Sequence, residues 1–242
     1  MGNAAAKAIR ADDVVKGSLR GDEKKCVAFE TVTTKKVEAE MKDVARGSWA
    51  FRAGNAEIVD DKGNVLYKTE SYSSNDRMFS VKCLSGLTGQ TLCVGVCKDV
   101  TGGDKTQVRI LRPEVQADKG QSDFAVWARE NRGTPLYPFA MIEIKRDEKG
   151  PVATYTVTIA DEIGDPKPLP LYVARVYGDI ASMSRYLMAV ETADDNAKLV
   201  AKIDQPSGFD SKRLTVEVAE GVDMCAVMML SLFFGVTKGM IW

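Results

Sequence analysis

Apolar and polar residues alternate along most of the chain, and this pattern predicts a protein built from short β-strands. Tyr155, Val157 and Ile159 alternate with three threonines, which is typical of a strand with one face in a core. Thirteen runs rich in β-branched, aromatic or cysteine residues are strand candidates. These are Trp49–Arg52, Ala56–Val59, Val65–Thr69, Phe79–Cys83, Thr91–Lys98, Gln107–Leu111, Phe124–Ala128, Ala140–Lys145, Thr154–Ala160, Leu171–Val176, Arg185–Val190, Leu199–Ile203 and Leu214–Val218. Their short spacing predicts antiparallel hairpins rather than β-α-β crossovers.

Turn residues separate these runs. Asp60–Asn64, Ser85–Gly89 and Asp147–Gly150 contain glycine, and the first also contains asparagine; both residues tolerate the positive φ angles of tight turns. Before the first run, Val27–Thr34 favours a strand, whereas Lys36–Ala45 has a helical composition. The proline-rich stretch Asp165 to Pro170 is interpreted as a stiff loop between strands.

The end of the chain follows a different pattern. From Met224 to Val236 no residue is charged, so a helix here, at about 222–237, is apolar on every side and has to be hidden from water. Asp223 can cap its start and Lys238 lies at its negative end. The helix would be about 21 Å long, whereas a bilayer core needs roughly 30 Å. We therefore expect a buried helix; the alternative is a membrane anchor extended by the final residues Met240 to Trp242.

Many alternating strands followed by one all-apolar helix predict a mainly β protein. A closed antiparallel β-barrel of about twelve strands, wrapped around the C-terminal helix, would bury the inward strand faces and the helix together. It would also leave no exposed sheet edge. We expect this domain to span residues 27–242, after an N-terminal tail at residues 1–26.

The tail begins MGNAAAKAIR, with Gly2 directly after the initiator methionine, and it resembles an N-myristoylation signal that has Ala6 in place of the usual serine or threonine. Gly2 is the candidate site of lipid attachment, and the alternative is an ordinary alanine-rich terminus. One myristoyl chain binds membranes only marginally, so a second signal is required. Lys7 and Arg10, close to Gly2, are candidates for that signal.

The amino-acid composition argues against some classes of function. The 242 residues include 33 lysines and arginines against 34 aspartates and glutamates, so no global field favours nucleic acid, and we expect no such partner. The absence of histidine removes the commonest general base and the commonest zinc ligand, which argues against an enzyme. No phosphate-binding loop or EF-hand spacing is present, and we expect no cofactor and no metal site.

The chain has five cysteines: Cys26, Cys83, Cys93, Cys97 and Cys225. Their number is odd and their spacing lacks a CxxC pair, so reduced, buried thiols are expected. Cys93 and Cys97 share one face of a predicted strand but lie too far apart along it for a disulfide. Together with the absence of an apolar leader, this predicts an intracellular protein in a reducing compartment.

Two stretches resemble the tubby C-terminal-like superfamily, which includes the LURP-one-related proteins and the phospholipid scramblases. One is the hairpin Glu57–Lys68, and the other is the end of the chain, where Lys198–Ile203 and Leu214–Val218 lead into Gly221–Asp223 and the apolar helix. The resemblance covers about residues 27–242. It implies a twelve-stranded barrel around a central hydrophobic helix, and phosphoinositide binding through basic residues on the barrel surface.

These observations predict a non-enzymatic module at a membrane surface, tethered by acylation of Gly2 and binding lipid headgroups or a protein partner. The alternative is a structural subunit of a larger intracellular assembly. The localisation expected is cytoplasmic, and peripheral on the cytoplasmic face of a membrane if Gly2 is acylated. Candidate contacts for anionic lipids, chosen from clustering, are Lys7, Arg10, Lys35, Lys36, Arg46 and Arg52. The alternative interpretation of Lys35, Lys36, Arg46 and Arg52 is an ordinary solvated surface.

Overall fold

A computed structural model describes residues 33–43, 56–73, 78–98, 105–113, 136–146, 153–159, 169–178, 186–204 and 213–238. These ranges contain twelve β-strands and one α-helix. The strands are β1 Val37–Asp43, β2 Ala56–Asp60, β3 Val65–Ser73, β4 Met78–Ser85, β5 Thr91–Lys98, β6 Lys105–Pro113, β7 Leu136–Arg146, β8 Ala153–Ile159, β9 Leu169–Gly178, β10 Tyr186–Thr192, β11 Leu199–Asp204 and β12 Arg213–Val218. The helix α1 spans Met224–Lys238. The predicted mainly β fold with a C-terminal helix is confirmed.

Each strand from β1 to β11 pairs antiparallel with the strand that follows it in the chain. β1 pairs with β2 along one side and with β12 along the other, so the hydrogen-bonded order returns to the strand where it began. Val37 lies opposite Val218, and Ala39 lies opposite both Val216 and Asp60. Each of the twelve described strands therefore has a partner on both sides, which removes the exposed edges that promote aggregation.

The sequence pattern located the strands well, with one exception. Eleven of the thirteen candidate runs overlap β2 to β12, and the other two, Trp49–Arg52 and Phe124–Ala128, lie outside the described residues. The helical composition of Lys36–Ala45 was misleading, because Val37–Asp43 is the strand β1. Pairing with a strand on each side outweighs the weak local preference for helix.

The predicted turns between β2 and β3 and between β4 and β5 are also confirmed. In the first, the Asp60 N–H donates to the Asn64 carbonyl at 3.0 Å, and Gly63 has a φ of 84° that a side chain would disfavour. In the second, the Gly89 N–H donates to the Ser85 carbonyl at 2.8 Å. The turn predicted at residues 147–150 lies outside the described residues. Leu169 and Pro170, interpreted as part of a loop, begin β9 instead.

The apolar helix lies in the core of the sheet. Every side chain from Met224 to Phe233 is buried, and the apolar ones belong to one cluster with the inward-facing residues of the strands. At Gly95 on β5, an added Cβ atom would overlap the ring of Phe233 and touch the sulfur of Met229. The helix and β5 therefore pack so closely that any larger residue at position 95 would require the Phe233 ring to move. Within the described ranges, no helix combines the length and hydropathy that a membrane crossing requires.

Candidate functional site

Three cysteines from distant parts of the chain converge at the start of α1. Cys83 on β4 and Cys93 on β5 are direct cross-strand partners, and Cys225 is the second residue of the helix. Their Sγ atoms all lie within 4.8 Å of one another, and those of Cys93 and Cys225 are 3.0 Å apart. All three side chains have no solvent exposure. We call these residues the three-thiol cluster.

Local structure explains why the three sulfurs meet. The turn from Ser85 to Gln90 places Cys83 and Cys93 opposite each other, and both residues belong to the main core cluster. Asp223 then fixes the start of the helix. Its Oδ1 atom accepts the Cys225 N–H at 2.9 Å and the Ala226 N–H at 3.2 Å, which is the helix-capping role predicted from sequence.

Thr33 holds the turn that precedes the helix. Its backbone N–H donates to the Val222 carbonyl at 3.0 Å, and its carbonyl accepts the Gly221 N–H at 2.7 Å. Its hydroxyl donates to the Ala219 carbonyl and accepts the Val222 N–H at 3.1 Å. Because Thr33 and Ala219 are 186 positions apart in the chain, this residue joins the segment before β1 to the base of α1. We call this contact the Thr33 clasp.

Hydrogen bonding within the cluster shifts the pKa values of the three thiols in different directions. Bonds with Cys225 and then Cys93 lower the pKa of Cys83, and burial opposes that shift. The bonds with Cys83 and Cys93 raise the pKa of Cys225 well above its usual value, and burial adds to this. For Cys93 the bond with Cys225 acts downward, but the bond with Cys83 and burial raise its pKa overall.

Tyr67 on β3 lies beside the cluster. Burial is the main cause that raises the pKa of its phenol, and negative charge at Cys225, Cys83 and Asp223 raises the pKa further. The phenol therefore stays protonated and can donate a hydrogen bond but cannot act as a base. With its thiols enclosed, the cluster offers three soft sulfur ligands rather than an accessible nucleophile.

The three-thiol cluster was not predicted from the sequence. Cys93 and Cys97 were predicted to share a strand face, and both are buried on β5, but Cys97 is not one of the three converging thiols. The missed signal was the turn between Cys83 and Cys93, because residues that flank a predicted hairpin turn face each other on its strands. Nothing in the sequence indicated that Cys225 would join them.

Of the predicted lipid contacts, the structure describes only Lys35 and Lys36, which lie just before β1. Lys36 is already paired, since its Nζ is 2.7 Å from Glu38 Oε1 and 3.1 Å from Glu217 Oε2. Lys35 is exposed and makes no ion pair with any residue that the structure describes. The lipid attachment residue Gly2 and the remaining candidates Lys7, Arg10, Arg46 and Arg52 lie outside the described residues.

A second group of charged residues lies on the strand pair β9 and β10. Arg175 Nη1 is 3.4 Å from Glu191 Oε2, and the Glu191 side chain is only 1% exposed. Glu191 Oε1 has no hydrogen-bond partner among the described residues. Burial raises the pKa of Glu191, although the Arg175 charge acts in the opposite direction. This pair is a weakly satisfied ionic contact.

Comparison with known proteins adds no identity, because no family model, curated protein or solved structure matches this chain. The tubby-like resemblance therefore stays a prediction from the two sequence stretches that carry it.

Proposed function

We propose that this protein is a non-enzymatic binding module that works at a membrane surface, where acylation of Gly2 and basic residues hold it. We also propose that its ring of strand pairings is a tubby-like barrel closed around α1. The observation that carries the functional proposal is the burial of the helix. Residues 224–233 are enclosed in the main core cluster. The most apolar segment of the chain is therefore packed in the protein core and is not available to insert into a membrane. Membrane attachment requires another part of the chain.

The N-terminus is the segment best suited to that attachment. Gly2 follows Met1, and Lys7 and Arg10 supply positive charge nearby. A single acyl chain gives an association constant on the order of 10⁴ M⁻¹, and each basic residue near an anionic surface adds about 1 kcal/mol. Two weak signals of this kind support reversible binding.

The structure also ranks the two described candidate lysines. The charge of Lys36 is compensated by Glu38 and Glu217, and the bond with Glu38 is the main cause that raises the pKa of its ammonium group. Lys35 has no such partner among the described residues. We therefore expect Lys35 to contribute more to binding of anionic lipid than Lys36.

The test is partition of the full-length protein, expressed in cells, between cytosol and membrane. Gly2→Ala should move most of the membrane-bound fraction to the cytosol, because it removes the proposed acceptor of the acyl chain. Asn3→Ala is the matched control and should partition as the wild type does. A free, non-acylated Gly2 in the native protein would overturn the tether. Alkali-resistant binding of both proteins would show that an integral segment anchors the chain.

The alternative is a structural subunit of a larger assembly. One exposed feature favours a protein contact: Leu87 at the tip of the β4–β5 turn, which is 92% exposed and is the only large apolar side chain so exposed among the described residues. A single leucine is a small contact, so this proposal ranks second. A high-mass complex that survives detergent and is lost in Leu87→Asp would favour the subunit over the lipid-binding module.

A further inference from the structure

We infer that Cys83, Cys93 and Cys225 form a binding site for one thiophilic metal ion. Three sulfur ligands converge from two neighbouring strands and the helix, with every pair of Sγ atoms within 4.8 Å. This site is independent of the proposed action at a membrane surface. It would connect the helix directly to the wall of the sheet.

The spacing of the sulfurs suits one shared ion. A metal–sulfur bond of about 2.3 Å places the sulfurs of a planar three-ligand site about 4 Å apart. The three Sγ atoms all lie within 4.8 Å of one another, and Cys93 and Cys225, at 3.0 Å, need to separate by about 1 Å to admit the ion between them. Rotation of the side chains supplies such a movement without displacing the strands.

The type of ligand selects the type of metal. Thiolates bind soft ions such as Cu(I) and Zn(II), whereas Ca²⁺ and Mg²⁺ require oxygen ligands. Binding releases the three thiol protons to solvent, forms three metal–sulfur bonds and changes no oxidation state. Cu(I) accepts three sulfurs as a complete set. Zn(II) prefers four ligands, and Asp223 at the helix cap is the nearest described carboxylate in sequence to Cys225.

The helix also stabilises the thiolate form of Cys225. Cys225 lies in the first turn of α1, where the positive end of the helix dipole stabilises a thiolate. The Asp223 carboxylate acts in the opposite direction, but it already accepts two helix N–H groups. Since all three ligands are fully enclosed, the ion has to enter as the chain folds, and metal binding therefore adds to the stability of the fold.

The test uses the full-length chain, unfolded with a chelator under reducing, oxygen-free conditions and refolded with one equivalent of Zn²⁺ or Cu⁺. Native mass spectrometry and elemental analysis should find one ion per chain, with a higher Tm than the metal-free protein. Loss of a residue that only supports a metal ligand lowers metal affinity by about 10- to 100-fold. Cys83→Ser removes a ligand itself, so the retained metal should fall by more than this. Cys97→Ser is the matched control, since Cys97 is equally buried on the same strand as Cys93 but lies outside the cluster, and it should retain the ion.

Three results would overturn the inference. One is a folded wild-type protein that binds neither ion. Another is equal metal loss in Cys83→Ser and Cys97→Ser, which would place the ion elsewhere. The last is a mass two hydrogens lower that maps to a Cys93–Cys225 disulfide in protein isolated without added oxidant. Because the first and last results need only the wild-type chain, the test stays decisive even if Cys83→Ser does not fold.

Discussion

Two buried polar regions of this protein are stabilised to different degrees. At the base of α1, the Thr33 clasp and the Asp223 cap give each participating group a hydrogen-bond partner. On β9 and β10, Glu191 is equally enclosed but contacts Arg175 through one oxygen at 3.4 Å, and its other oxygen has no partner among the described residues. A buried polar group therefore stabilises the fold according to its partners, not its depth.

The largest expected effect comes from a charge with no partner. Met228 is fully buried in the middle of α1, and Met228→Asp would place a carboxylate in an apolar core. This costs several kcal/mol, a large part of the roughly 5–15 kcal/mol that stabilises a typical domain. We expect the whole sheet to unfold, as seen by loss of the cooperative thermal transition. Leu232→Asp, one helical turn further along, should have the same effect.

The matched control for this substitution is Leu87→Asp at the exposed tip of the β4–β5 turn. It introduces the same charge in place of an apolar side chain, but in water, so its effect on the melting temperature should be small. An unchanged melting temperature in Met228→Asp would show that the helix does not form the centre of the fold.

A medium effect is expected from removing one partner at the base of the helix. Thr33→Val keeps the shape of the side chain but removes the hydroxyl that bonds to Ala219 and Val222. The unpaired, buried Val222 N–H should lower the free energy of unfolding by about 1–3 kcal/mol, as measured by urea denaturation. Thr33→Ser, which keeps the hydroxyl, should recover most of this loss.

The neighbouring residue supplies the control. Thr34 is exposed, so Thr34→Val should change the free energy of unfolding by no more than about 0.5 kcal/mol. Equal losses in Thr33→Val and Thr34→Val would show that the Thr33 hydroxyl is not a specific contact.

Features that depend on residues close together in the chain were predictable from the sequence. The buried helix was predictable because Met224 to Val236 carries no charge, and the cap was predictable because Asp223 directly precedes it. Local alternation likewise located β2 to β12. These features depend on residues a few positions apart, and the pattern of side chains in one segment is enough to define them.

Features that join distant segments were not predictable in this way. Cys93 and Cys225 are 132 positions apart, so only the complete fold brings their sulfurs together. Lys36 was chosen as a lipid contact because basic residues cluster near it, but Glu217 on β12 lies 3.1 Å from its ammonium group and compensates its charge. β1 was misassigned for a similar reason, since its strand conformation depends on pairing with β12, which follows it by more than 150 residues.

The smallest expected effect concerns the buried carboxyl and its dependence on pH. Burial raises the pKa of Glu191 above its ordinary value of 4.5, so the folded state holds the proton more tightly than the unfolded state does. This contribution is fully present below pH 4.5 and is lost as the pH rises through the raised pKa of the folded protein. Glu191→Gln cannot ionise and lacks the effect. The free energy of unfolding of the wild type should therefore fall relative to the variant between pH 4.5 and neutral pH.

Urea denaturation of both proteins across this pH range measures the difference, and other titrating groups cancel because the two chains share them. Glu220→Gln, at an exposed position before α1, is the control for the exchange of a glutamate for a glutamine. If the stability of the wild type instead rose relative to Glu191→Gln with increasing pH, the Arg175 contact would outweigh burial. Glu191 would then be as well satisfied as the groups at the base of the helix, and the contrast between the two regions would disappear.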